Sequence, residues 1–196
     1  MNNKIAQVII AGLVIVLVWL LLFWEPGGTD AESKLTAGPG GGEFSLQSAD
    51  GPVILNDFRN KVVVLYFGYT FCPDICPTSL SLLSVTLNDL TADELQQVQG
   101  IFVSVDPERD SLEHLKTYAG YFHKNIIGAT GSREQIDAAV KKYGAGYNIV
   151  KSNSEADYSV DHTSYTYIID RLGKLRFSLP QGTSADEVSK SIRSLL

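Results

Sequence analysis

The chain has 196 residues and a formal net charge of −6, with 19% charged and 44% hydrophobic residues. That length suits one ordinary domain with extra segments. The acidic balance argues against a nucleic-acid partner, which would require a basic face, and two cysteines are too few for a disulfide framework.

In chain order, the first feature is an uncharged run of 20 residues from Ile5 to Trp24. About 20 apolar residues cross a bilayer core as a helix. Lys4 precedes the run and Glu25, Asp30 and Glu32 follow it. The positive-inside rule then places the N-terminus in the cytoplasm and everything after Trp24 outside. A cleaved signal peptide is the competing reading, but its apolar region is shorter and ends in small residues. Here the run ends in LLLFWEP with no A-x-A pattern. Trp19 and Trp24 suit an interfacial aromatic belt, and no nearby cysteine could carry a lipid. The run reads as an uncleaved single-pass anchor over residues 1–24. Residues 25–42, EPGGTDAESKLTAGPGGG, read as a flexible linker. Residues 43–196 remain for a domain outside the membrane, long enough to fold without disulfides.

Within that domain, Phe44–Ser48 and Val53–Leu55 flank a hairpin-like turn, Ala49-Asp50-Gly51-Pro52. The run VVVLYFG after Lys61 reads as a central strand buried on both faces. Pro77 suits the first position of a helix, and leucines at 80, 83, 87 and 90 continue it at helical spacing. A short segment at Thr91–Gln97 extends or follows that helix. A second buried strand is expected at Gly100–Val105, then a helix toward Phe122, a short strand at Ile126–Ala129, and a helix opening at Ser132 and ending near Tyr143-Gly144. Tyr165–Ile169 and Leu175–Leu179 read as strands, and Ser184 caps a last helix. Strands alternating with helices imply an α/β fold with a mixed sheet flanked by helices.

The cysteines lie in YFGYTFCPDICPTSL, where the first central strand gives way to a helix. A disulfide closing so small a loop removes little chain entropy, so a structural bridge is a weak reading. A helix N-terminus lowers thiol pKa and favours the thiolate, which is both nucleophile and metal ligand. Three intervening residues let Cys72 and Cys76 point to one side, which suits a soft metal ion. A third donor must come from three histidines. His114 reads as a solvated helix residue, and His123 as an imidazolium at a helix C-terminus. His162, in YSVDHTSYTYIID, reads equally as a ligand or as a polar strand-edge residue. Asp74 is either a turn or N-cap residue or a group facing the metal or a partner. Asp106 to Asp110 divide the same way between function and turn-plus-cap. Tyr66, Phe67, Tyr69 and Phe71 read as core and rim packing. Asp161 adjoins His162, but strand neighbours point to opposite faces, so it is not assigned as the imidazole's partner.

The segments YFGYTFCPDICPTSL, VSVDPERDSLEHLKTY and YSVDHTSYTYIID together resemble the Sco/SenC family. The resemblance implies a thioredoxin-like fold, a membrane anchor and copper binding. It also implies a role in assembling the dinuclear copper centre in subunit II of cytochrome c oxidase. It carries over Cys72, Cys76 and His162 as the metal ligands. Thr163 stands where serine is expected in many members. Two thiolates with one imidazole favour Cu(I), and the same set can hold Cu(II).

Four functions compete. The first is a metallochaperone binding one copper and delivering it to the oxidase subunit, with other copper chaperones or thiol–disulfide partners alongside. The second is a thiol–disulfide oxidoreductase, with Cys72 and Cys76 as redox-capable thiols, that keeps the partner's cysteines reduced. Against it, the cysteine gap is not the two residues of thioredoxins and no proline precedes the Tyr165 strand. The third, a thiol peroxidase, lacks the expected Thr or Ser three residues before the cysteine and the proline four further back, since Tyr69 and Leu65 occupy those positions. The fourth, a Cys₂His zinc site, lacks an evident general base. Without an Arg-rich transit segment, a bacterial cytoplasmic membrane is the expected location, with the domain on its periplasmic side.

Overall fold

The structure, a computed structural model, describes residues 12, 13, 16, 19, 40–151 and 158–196. The chain divides into two compact units, Met1–Thr36 and Ala37–Leu196. In the first, Gly12, Leu13, Val16 and Trp19 are helical. The rest of the expected anchor lies outside the described residues, as does the expected linker up to residue 39. Among the described residues, no helix is long and apolar enough to cross a membrane.

The second unit opens with Gly41 and Gly42 at φ of 70° and 149°, conformations that suit glycine. Gly41 donates to the Lys142 carbonyl at 3.1 Å, and the Tyr143 hydroxyl donates to the Gly42 carbonyl at 3.0 Å. Strands β1 (Ser45–Ser48) and β2 (Gly51–Ile54) form the expected hairpin, with Ala49-Asp50 as its turn.

The central sheet has five strands: β3 (Val62–Gly68), β4 (Val98–Ser104), β5 (Ile126–Ala129), β8 (Tyr165–Ile169) and β9 (Leu175–Pro180), ordered β5-β4-β3-β8-β9. β3, β4 and β5 run parallel, while β8 and β9 are antiparallel to their neighbours. Every residue of β3 and β4 is buried; β3 is a continuous apolar run, as suits a sheet centre, and β4 adds the buried polar residues Gln99 and Ser104. The helices are α1 (Ile75–Asp89), α2 (Ala92–Gln96), α3 (Leu112–Phe122), α4 (Arg133–Tyr143) and α5 (Ala185–Arg193). Capping boxes start α2, α4 and α5, and Gly144 ends α4 in the left-handed conformation. Leu80, Leu83 and Leu87 are the buried stripe of α1. The mixed, thioredoxin-like α/β arrangement is the one expected.

Two details differ from the sequence reading. Helix α1 begins at Ile75, so Pro77 is its third residue and not its first. It is tolerated because the first four N–H groups of a helix have no internal partner. A separate two-stranded sheet, β6 (Tyr147–Lys151) with β7 (Tyr158–His162), was not anticipated. Among the described residues, this pair bonds with no other strand.

The loop after β3 is tied to the end of β4 by one buried carboxylate. Asp110, 1% exposed, accepts from the Thr70 N–H at 3.0 Å, the Thr70 hydroxyl at 2.5 Å and the Ser104 hydroxyl at 2.5 Å. Asp110→Ala orphans these donors and is expected to cost about 2–4 kcal/mol in urea unfolding. A loss below about 0.5 kcal/mol, the range of ordinary surface substitutions, would contradict this tie.

Candidate metal centre

Cys72 sits in the loop that leaves β3, and Cys76 is the second residue of α1. Both are free thiols, Cys72 half-buried and Cys76 fully buried. The Cys76 backbone N–H points to the Cys72 sulfur at 3.5 Å. One of the orphan donors of the helix start thus finds its acceptor in a thiol. Asp74 occupies the N-cap position, but its side chain makes no capping bond. A three-residue gap therefore places the first sulfur before the helix and the second inside its first turn.

The Cys76 sulfur is seated over β3. A Cβ added at Gly68 would lie 2.6 Å from that sulfur and 3.0 Å from the Phe102 ring. Only a residue without a side chain leaves the sulfur this position. Burial pushes the Cys76 thiol well above its ordinary pKa. This reverses the expectation that the helix N-terminus makes Cys76 a ready thiolate. Desolvation disfavours the charged form more than the helix end favours it.

The third donor arrives from the separate hairpin. His162, the last residue of β7, places Nε2 3.2 Å from the Cys76 sulfur. Its Nδ1 lies 3.1 Å from the Thr163 carbonyl. A carbonyl only accepts, so Nδ1 carries the proton and Nε2 offers its lone pair to the sulfurs. Burial holds the imidazole pKa below its ordinary value, which keeps the ring neutral. The rings of Tyr66 and Tyr69 stand edge-on to it, at 6.2 and 5.9 Å between centroids. Both tyrosines are buried, as is Phe67, whereas Phe71 is exposed on the rim. The donor atoms of Cys72, Cys76 and His162 all lie within 4.8 Å of one another.

The other candidates go elsewhere. Asp106, 1% exposed, accepts from the Tyr158 hydroxyl at 2.6 Å and Arg109 Nε at 2.5 Å. It braces β7 instead of meeting a metal. Asp74 and Asp161 are exposed. His114 is not merely solvated, since its Nε2 meets the Thr70 hydroxyl at 3.0 Å. His123 is not an imidazolium. Its Nδ1 accepts the Asn125 N–H at 3.0 Å, and burial lowers its pKa. The partner that orients His162 is a backbone carbonyl, which has no side-chain signature in a sequence.

Gly68→Ala drives a methyl group into the Cys76 sulfur. It is expected to cost about 1–3 kcal/mol in urea unfolding, as overpacking does. It should also speed the reaction of Cys76 with a small thiol reagent in the folded, reduced chain. Unchanged stability and unchanged Cys76 reactivity would show that the sulfur is not seated on residue 68.

The SCO1/SenC family model matches residues 32–196. The mouse mitochondrial protein SCO2 homolog is 37% identical over 164 residues, covering 83% of this chain and 64% of that protein. The chain thus spans a little under two thirds of the length of this relative. Apo Sco1 of Thermus thermophilus superposes with a TM-score of 0.75 at 37% identity, over 82% of this chain and 94% of that one. Copper-bound ScoI of Bradyrhizobium japonicum gives a TM-score of 0.72 at 32% identity, over 80% and 99%. BsSco, described with a disulfide switch and as a member of the Sco family of cytochrome c oxidase assembly proteins, gives 0.62 at 29%, over 81% and 94%.

Proposed function

The chain belongs to the SCO1/SenC family, and from that premise we propose that it is a membrane-anchored copper carrier for cytochrome c oxidase assembly. Cys72, Cys76 and His162 hold one copper ion, which is cargo and not a catalyst. The observation that carries this reading is the convergence of two sulfurs and one oriented imidazole nitrogen within 4.8 Å. Soft thiolates select Cu(I), and the imidazole lets the same set accept Cu(II). Copper bound in the ScoI structure of B. japonicum supports the choice of metal.

The proposed recipient is subunit II of the oxidase, whose dinuclear copper centre would be filled by exchange of ligands. The half-buried Cys72 is a donor that a recipient thiolate can reach, while Cys76 is fully buried. Residues 1–24 would act as the anchor and residues 25–42 as the tether, whose end at Gly41 and Gly42 is already bonded to α4, with residues 43–196 as the carrier domain. A tether of this length confines the domain to the membrane surface where the oxidase is built, which raises its effective concentration there. The proposed setting is a bacterial cytoplasmic membrane with the domain on the periplasmic side.

A second reading has its own support. Two free thiols, one of them half-buried and within reach of a partner, suit a reductase that keeps the oxidase copper-site cysteines reduced. The disulfide switch described for BsSco is in keeping with that chemistry. The same reduced pair serves either role.

Copper titration of the reduced full chain in detergent separates the two. One tightly held copper per chain is expected. Cys76→Ser or His162→Ala should weaken it by at least about 10–100-fold, the loss seen when even an outer-shell partner of a ligand is removed. Copper bound no better than by the urea-unfolded chain, with thiols that cycle readily against a dithiol, would replace the carrier with the reductase.

A further inference from the structure

The third donor stands on an element that the central sheet does not hold. Among the described residues, strands β6 and β7 pair only with each other, and an isolated two-stranded hairpin is marginally stable in water. Residues 148–151 of β6 are all exposed, and Val160 is the buried residue of β7. Something else must keep His162 over Cys76.

The loop between β4 and α3 supplies it. The Arg109 guanidinium carbon lies 3.7 Å from the centroid of the Tyr158 ring, 5.0 Å from that of Phe71 and 5.5 Å from that of Tyr69. Arg109 Nη1 donates to the Tyr158 carbonyl at 2.9 Å, and Nε donates to Asp106 at 2.5 Å. The Tyr158 hydroxyl closes the ring of contacts on the other Asp106 oxygen at 2.6 Å. Asp106 itself is held by its backbone N–H on the Ser104 hydroxyl at 3.1 Å. The loop grips β6 as well. Arg133 pairs with Glu108 and donates to the Val105 carbonyl and the Tyr147 hydroxyl. Tyr147 stands opposite His162 in the ladder.

These contacts give one planar cation three aromatic neighbours that carry the site. Phe71 precedes Cys72, Tyr69 meets the imidazole edge-on, and Tyr158 begins the strand that ends in His162. We propose that Arg109 is a positioning residue: through Tyr158 and Asp106 it latches the β6–β7 hairpin and thereby holds His162 on the Cys76 sulfur. The latch sets how readily the imidazole leaves, and so how readily a three-donor site becomes a two-thiolate site. Lysine cannot replace it, because a point charge neither stacks flat on Tyr158 nor spans Asp106 and the Tyr158 carbonyl at once. The inference rests on the reading of Cys72, Cys76 and His162 as the copper donors.

Arg109→Lys tests it in the full chain, alone and combined with His162→Ala. Two readouts are used. In the metal-free protein, hydrogen exchange by mass spectrometry follows peptides covering residues 158–165 against those covering 62–68. Arg109→Lys is expected to speed exchange in the first by about tenfold, the effect of losing one partly desolvated cation–π contact, and to leave the second unchanged. In the copper-loaded protein, the rate of copper loss to a chelator should rise about tenfold in Arg109→Lys. It should change less than about twofold when Arg109→Lys is added to His162→Ala, because the latch acts only through the missing ring. Equal acceleration in both backgrounds, or hairpin exchange that stays at the wild-type rate, would overturn the latch. If wild type and His162→Ala lose copper at the same rate, the three-donor reading fails on its own account. Hydrogen exchange in the metal-free chain then still decides whether Arg109 holds the hairpin.

Discussion

The site depends on one close approach, the seating of the Cys76 sulfur over the backbone of Gly68. β3 is a buried central strand, and its last residue lies where the sheet meets the start of α1. A side chain at 68 would occupy the place of the sulfur. With that place free, the thiol drops below the surface, and its loss of water makes ionisation costly. A cation bound to the sulfur would remove that cost, because metal binding replaces the proton. Buried sulfur and bound metal thus belong to one argument. The thiol that is hardest to ionise when bare is the one best shielded when a soft cation is present.

The donors differ in how firmly the fold holds them. Cys76 is fixed by a helix packed on the sheet, and Cys72 receives the Cys76 N–H. His162 reaches the sulfurs from a hairpin outside the sheet. The DPERD stretch, residues 106–110, connects the two bodies. Asp110 secures the loop before Cys72, and Asp106, Glu108 and Arg109 reach the hairpin directly or through Arg133. In the proposed carrier, cysteines mounted on the main fold and a separately mounted imidazole would divide holding and release of the cargo between two parts of the fold.

Much of this was legible in the sequence. The buried strands announced themselves as β-branched apolar runs, and the starts of α4 and α5 as Ser132 and Ser184 followed three residues on by Gln135 and Glu187, whereas α3 is capped by Ser111 and not by Asp110. The cysteine pair stood where a strand gives way to a helix. The pairing of the strand that carries His162 was hidden because its partner residues 148–151 are all exposed and mark no buried face, although Tyr158-Ser159-Val160-Asp161 does alternate. His162 could therefore not be told from a strand-edge residue until the Sco/SenC resemblance assigned it. The raised pKa of Cys76 was missed because the helix end was weighed without the burial that outweighs it. Asp106 was ambiguous, and the bond His114 makes went unread, since their partners, Tyr158 and Thr70, lie 52 and 44 residues away. The orienting contact on His162 is a main-chain oxygen, and residue identity does not encode it.

The most direct test of the central claim is X-ray absorption at the copper edge on the reduced, copper-loaded full chain. The expected first shell is two sulfurs and one imidazole nitrogen, with the imidazole scattering lost in His162→Ala and one sulfur lost in Cys76→Ser. A shell of nitrogen and oxygen alone, or one unchanged by either substitution, would contradict the three-donor site.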